Sequence, residues 1–96
     1  MQPPSGISEG RAAYKSGKLI KVHALFRDDE IVDIKITGDF FIYPEEKIEN
    51  IERKLRNRRL NDAIEVIEEE MKDTEYEGIS PEALWNAIRE AWMRRK

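Results

Sequence analysis

The stretch Lys18-Leu19-Ile20-Lys21-Val22-His23-Ala24-Leu25-Phe26-Arg27, continued by Asp28-Asp29-Glu30 and then Ile31-Val32-Asp33-Ile34-Lys35-Ile36-Thr37, decides how this chain folds. Ile20, Val22, Ala24 and Phe26 alternate with Lys21, His23 and Arg27, the period of two that sends successive side chains to opposite faces of a strand. Leu19 and Leu25 accompany the polar set. Val32, Ile34 and Ile36 repeat the pattern against Asp33, Lys35 and Thr37. Two such runs predict an antiparallel hairpin. For both apolar sets to share one face, Val22 must lie opposite Ile36 and Phe26 opposite Val32, which favours a three-residue loop at Asp28-Asp29-Glu30. A two-residue turn would set Ala24 against Asp33 and break the face.

On the N-terminal side, Ala12 and Tyr14 mark a short strand over 10–16, joined to the hairpin by a turn at Ser16-Gly17 and expected to lie at the sheet edge. Residues 1–9, with Pro3, Pro4, Ser5 and Gly6, have no apolar periodicity and read as a flexible leader. On the C-terminal side, Gly38-Asp39-Phe40-Phe41-Ile42-Tyr43 ends the strand region and the period changes to 3.6. Pro44 fits the first position of a helix over 44–57, whose thin apolar stripe is Ile48, Ile51 and Leu55, with Glu49, Glu52, Arg53 and Lys54 covering the rest. Leu60, Ala63, Ile64, Ile67 and Met71 predict a second helix over 61–73 capped by Asn61, and Thr74 to Gly78 breaks it. Ser80-Pro81-Glu82 is a strong start signal for a third helix over 81–94, with Ser80 as N-cap and Ile79 placed to staple against Leu84. The expected architecture is α+β: a small antiparallel sheet of about three strands (10–16, 18–27, 31–39) followed by three helices (44–57, 61–73, 81–94) packed on one face.

At 96 residues the chain is about one domain, with room for a modest core and little for a deep pocket. It contains no cysteine, which excludes disulfides, iron-sulfur ligation and thiol nucleophiles, and a cytoplasmic location is expected. No apolar run approaches the roughly 20 residues that span a bilayer, so a membrane partner is not expected. The net charge is −3, and residues 1–43 carry 6 basic and 6 acidic side chains against 11 and 14 in residues 44–96. Neither part has the cationic excess from which affinity for a phosphate backbone arises, so no nucleic acid is expected.

Few residues offer chemistry. His23 is the lone histidine and lies with the polar set of its strand, a structural position with no zinc ligand set around it. Glu68-Glu69-Glu70 fan out by about 100° each on a helix and read as a solvated face rather than a cation site. Arg56, Arg58 and Arg59, and separately Arg94, Arg95 and Lys96, sit near expected helix C-termini, where cations meet the negative end of the dipole. Trp92 belongs to the buried stripe of the third helix with Leu84, Ala87, Ile88 and Ala91, whereas Trp85 sits at its edge, a position suited to an interface anchor. The junction from Gly38 to Pro44 is the most distinctive segment: one of Phe40 and Phe41 must enter the core and the other must point outward, which makes a contact surface there. No catalytic, cofactor-binding or metal-ligating residue is expected.

Gly17-Lys18-Leu19-Ile20-Lys21-Val22, Ile34-Lys35-Ile36-Thr37-Gly38-Asp39-Phe40-Phe41-Ile42-Tyr43-Pro44-Glu45-Glu46 and Gly78-Ile79-Ser80-Pro81-Glu82 together resemble the C-terminal accessory domain of lipoate-protein ligases, including its separately encoded archaeal form. The resemblance covers about residues 10–96, which would then be a single accessory domain. It implies a small subunit, not an enzyme by itself, that forms a heterodimer with a catalytic subunit and supports ATP-dependent formation of lipoyl-adenylate before lipoyl transfer to a lysine of an acceptor protein. ATP, Mg and lipoate are implied for the complex and none for this chain alone, since no Gly-rich phosphate loop is present. The partner-interface residues it points to are Lys18, Gly38, Asp39, Phe40, Phe41 and Tyr43, with Trp85. Asp28-Asp29 departs from the family, where a Gly-containing hairpin turn is usual. Two other readings remain at this stage: a stand-alone protein-protein interaction module using Trp85 and the arginine clusters, and a nucleic-acid-binding domain.

Overall fold

Ile20, Val22, Ala24 and Phe26 are all buried, as the alternation requires, and they form the centre of an antiparallel sheet in the computed structural model, which describes residues 6–96. Its strands are β1 (Ser8–Ser16), β2 (Lys18–Arg27) and β3 (Glu30–Gly38), with a two-residue β5 (Arg58–Arg59) added outside β3, in the order β1-β2-β3-β5. A second, two-stranded sheet pairs β4 (Phe41–Tyr43) with β6 (Glu75–Glu77). Three helices, α1 (Lys47–Leu55), α2 (Ala63–Met71) and α3 (Pro81–Met93), complete the α+β architecture. α3 packs across β1 and β2, α1 packs on β3, and α2 lies against both helices, so all three cover one face of the sheet.

β1 is an edge strand, as expected, but it starts earlier. Ser8 and Glu9, assigned above to the leader, pair with Phe26 and Leu25. The Glu9 amide also donates to the Lys96 carbonyl at 3.2 Å, and the Lys96 amide returns a bond to Glu9 at 2.9 Å, so the last residue covers the open edge where β1 begins. Residues 1–5 of that leader lie outside the described residues.

The hairpin has a two-residue turn, not three: Arg27 lies opposite Glu30 and Asp28 takes a φ of 54°, a conformation that aspartate tolerates better than most residues. Register is rescued by a β-bulge. Phe26 faces Ile31 instead of Val32, Val32 is the extra residue, and from Ala24↔Ile34 to Val22↔Ile36 the pairing is the expected one. Alternation in unbroken register excluded the short turn; one inserted residue permits it, and Ile31 enters the core fully buried.

Helix boundaries shift inward. Pro44 is not at the first turn of α1, because residues 41–43 are spent on pairing with β6 and the chain must turn through Pro44–Glu46 before the helix begins. α1 ends before Asn57, whose amide donates to the Ile31 carbonyl at 2.7 Å, and the following residues form β5. A 3₁₀ turn occupies Leu60–Asp62, so Asn61 is not a cap and α2 runs only from Ala63 to Met71. α3 starts where Ser80 requires: its Oγ accepts from the Ala83 amide at 3.0 Å, with Pro81 in the first turn.

Glu52, placed above on the solvent side of α1, is instead buried. Its carboxylate accepts the Ile36 amide at 2.6 Å on the side of β3 that β5 leaves uncovered. That helix stripe is therefore Ile51, Leu55 and a polar residue that satisfies a strand edge. At the far end of α3, the Trp92 indole N–H donates to the Asp28 carbonyl at 2.8 Å and fastens the helix to the β2–β3 turn. Arg95 lies over the same ring, 4.0 Å from its centre.

Candidate functional site

The three sequence segments singled out at Gly17-Lys18, Gly38 to Tyr43 and Gly78 are far apart in the chain and meet at one end of the fold. The Lys18 amide donates to the Gly78 carbonyl at 3.3 Å, joining the β1–β2 turn to the segment that leads into α3. The Asp39 amide donates to the Leu19 carbonyl at 3.0 Å, joining the end of β3 to the start of β2. Phe41 then pairs with Glu77, Ile42 with Tyr76 and Tyr43 with Glu75.

Glycine is needed at two of these junctions. Gly78 has a φ of 78°, and a Cβ there would collide with the Lys18 side chain. At Gly38, with a φ of 154°, a Cβ would collide with the Leu19 carbonyl oxygen and press on the Phe40 ring. Close backbone approach at these points draws β4 and β6 against the sheet end.

The corner also sorts the two phenylalanines. Phe40 is half-buried against the core, and Phe41 is the outward ring, 51% exposed. Ile42 turns inward and is buried, so Phe41 and Tyr43 share the open face of the β4–β6 ribbon, with Tyr43 60% exposed. Directly across from them on that face stand Glu77 and Glu75, both exposed, and exposed Asp39, Glu45 and Glu46 flank them in sequence. Two exposed aromatic rings in an acidic frame are groups that can bind another protein.

Of the expected interface residues, Lys18, Gly38, Asp39, Phe41 and Tyr43 are exposed at this end, and Phe40 supports it from beneath. Trp85 lies on α3, half-buried and packed against the core. Sequence reading missed Glu75, Tyr76 and Glu77, taken there only as part of a helix break. Their own polar-aromatic-polar alternation was the available signal.

The other candidates are placed as follows. His23 is exposed and its Nε2 lies 2.7 Å from the Glu9 carboxylate. That bond holds the Glu9 carboxyl below its usual range. Glu68, Glu69 and Glu70 diverge: Glu69 pairs with Lys72, and Glu70 turns back to Lys54 at 2.6 Å and Lys47 at 3.7 Å. Among the described residues, no group of three His, Cys, Asp or Glu side chains is positioned to hold a metal ion. Arg56 and Arg59 are engaged by Asp33 and Asp29, and Arg94 by Glu90. No helix among the described residues is long and apolar enough to cross a membrane.

Comparison with known proteins gives two matches. The family described as bacterial lipoate protein ligase C-terminus matches residues 10–88. A chain from the solved structure of an archaeal lipoylation system, described as a bi-partite lipoate protein ligase and its E2 lipoyl domain from Thermoplasma acidophilum, superposes with a TM-score of 0.79 at 29% identity, covering 84% of this chain and 94% of that one. No curated protein sequence matches.

Proposed function

The chain belongs to the bacterial lipoate protein ligase C-terminus family, and from that premise we propose that it is the accessory subunit of a bipartite lipoate protein ligase, binding a separate catalytic subunit through the β4–β6 end. In this role it performs no chemistry alone. It supports the step in which lipoate is activated by ATP with magnesium to lipoyl-adenylate, before the catalytic subunit transfers the lipoyl group to an acceptor lysine. The reading is supported by the likeness to a chain from a bi-partite ligase.

One observation carries the choice of surface. The family match spans Gly17-Lys18, Gly38 to Tyr43 and Gly78, and these segments converge to hold Phe41 and Tyr43 out in solvent. A fold gains nothing from exposing two large rings, whereas an interface gains buried apolar area at its centre.

The test mixes this protein with the catalytic subunit of a bipartite ligase, ATP, lipoate and magnesium, and follows pyrophosphate release as each component is omitted. Release that needs both proteins supports the accessory role. A catalytic subunit equally active alone, with no binding between the two, defeats it.

A further inference from the structure

β1 is the outermost strand of the four-stranded sheet, so one side of its backbone has no strand beside it. In an antiparallel pair the N–H and C=O of one residue point to the same neighbour and those of the next residue point away. The Glu9 amide and carbonyl are taken by Lys96, at 3.2 and 2.9 Å, so Glu9 faces outward. Alternation then sends the backbone groups of Arg11, Ala13 and Lys15 the same way. Among the described residues, no second strand or loop bonds to them. The opposite edge is closed by the chain itself. On β3 the Ile34 amide donates to the Asp33 carboxylate at 2.9 Å and the Ile36 amide to Glu52 at 2.6 Å, and β5 pairs with Glu30 and Ile31. At the start of β1, Glu9 and Lys96 exchange both of their bonds, the pattern of an antiparallel bridge, so this edge already accepts a backbone in that orientation.

The side chains that flank the open groups define what can lie there. Arg11, Ala13 and Lys15 are exposed on the face away from the helices, whereas Ala12 is buried and Tyr14 half-buried on the helical side. Among the described residues Lys15 takes part in no ion pair, and Arg11 reaches only Glu9, at 3.8 Å. A second copy of the chain is a poor fit. Two β1 strands paired antiparallel through all three residues would set Arg11 of each opposite Lys15 of the other, and like charges directly opposite destabilise a strand pair. Carboxylates at those two places, with a small residue opposite Ala13, reverse the sign. On the helical side, Tyr14 from β1 and Asn86, Arg89, Glu90 and Met93 from α3 border an open groove of about 410 Å³. Met93 is 70% exposed there, so residues between the two carboxylates meet aromatic and thioether surface.

We propose that the open edge of β1 takes an extended acidic segment of another protein as an added antiparallel strand. The main chain of that segment bonds to Arg11, Ala13 and Lys15, its carboxylates sit opposite Arg11 and Lys15, and its alternate apolar side chains lie toward Tyr14 and Met93. This contact is separate from the β4–β6 ribbon and does not depend on the role proposed above.

The isotope-labelled chain is titrated in an NMR experiment with the peptide Thr-Glu-Val-Thr-Val-Glu-Thr, capped at both ends, and with a control peptide in which both glutamates are lysine. With the glutamate peptide near saturation, hydrogen exchange at the Arg11, Ala13 and Lys15 amides should slow about tenfold or more, while the β2 amides are unaffected. Binding should weaken as salt is raised. The variant Arg11→Glu/Lys15→Glu should lose the glutamate peptide and gain the lysine peptide, and an unchanged spectrum elsewhere shows that it is folded. Absence of protection at the three amides, equal protection by the lysine peptide, or a preference that survives the charge reversal overturns the proposal. So does protection that grows with protein concentration in the absence of peptide, which would assign the edge to a second copy of the chain.

Discussion

Replacing Phe41 or Tyr43 with Ala removes a ring that is already half or more in solvent, so the melting temperature should stay within a few degrees of wild type. Association with the catalytic subunit should weaken by about 1–2 kcal/mol for at least one of them, read by titration calorimetry. Phe40→Ala should behave oppositely, losing about 2 kcal/mol of stability by denaturant unfolding, because its ring packs on the core and against Gly38. If neither Phe41 nor Tyr43 affects binding, the assigned surface is wrong. Glu52 makes a second contrast. Glu52→Ala strands the Ile36 amide and should cost about 1–3 kcal/mol, while Glu52→Gln keeps an acceptor oxygen in place and should cost less. Adjacent phenylalanines announced one ring inside and one outside, but which was which depended on the Gly38 corner. Glu52 gave no sign in the sequence, since a glutamate between Ile51 and Arg53 reads as helix surface until a strand edge is placed beside it.

At the level of elements, α1 and α2 are tied by Glu70, which accepts from Lys54 and pairs with Lys47. The Lys54 hydrogen bond, with the charges of Lys54 and Lys47, lowers the Glu70 carboxyl below its usual value of 4.5. A carboxyl whose folded pKa is depressed stabilises the fold above the ordinary glutamate range, and this contribution is lost as pH falls through the folded value. Glu70→Gln should therefore be less stable than wild type at pH 7, by no more than about 1 kcal/mol, because Lys54, which makes the short contact, is half exposed and solvent screens the pair. The two proteins should converge in unfolding experiments carried below the folded pKa; a difference that persists there would mean that packing, not charge, is responsible. Element types were legible wherever period and caps agreed, as in β2, β3 and α3 with its Ser80-Pro81 start. Boundaries slipped where a residue had two uses. Pro44 suits a helix start, yet the chain ahead of it is committed to pairing with β6.

For the molecule as a whole, native-state hydrogen exchange should be slowest in β2, β3 and α3, which share the fully buried residues Ile20, Phe26, Ile31, Leu84 and Ile88. The three-residue strands β4 and β6 should exchange through local opening and gain protection when the catalytic subunit binds; protection that ignores the partner would count against the proposed interface. The chain's charge divides in the same way, with an acidic frame around Phe41 and Tyr43 and the cations Arg11 and Lys15 along the edge strand β1. Alternation along β2 and β3, the 3.6 period further on and the Ser80 cap were enough to specify an α+β sandwich of sheet and helices and most of its buried stripes, because those signals are local and repeat; Val32, Ile48 and Trp92, expected inside, are only half-buried. The bulge at Val32, the β4–β6 ribbon, the Glu52 bond and the meeting of Lys18, Asp39 and Gly78 are contacts between residues that ignore one another along the chain. Each depends on where a distant backbone group is left unpaired or a glycine lets two segments touch, and that becomes defined only when the core has closed.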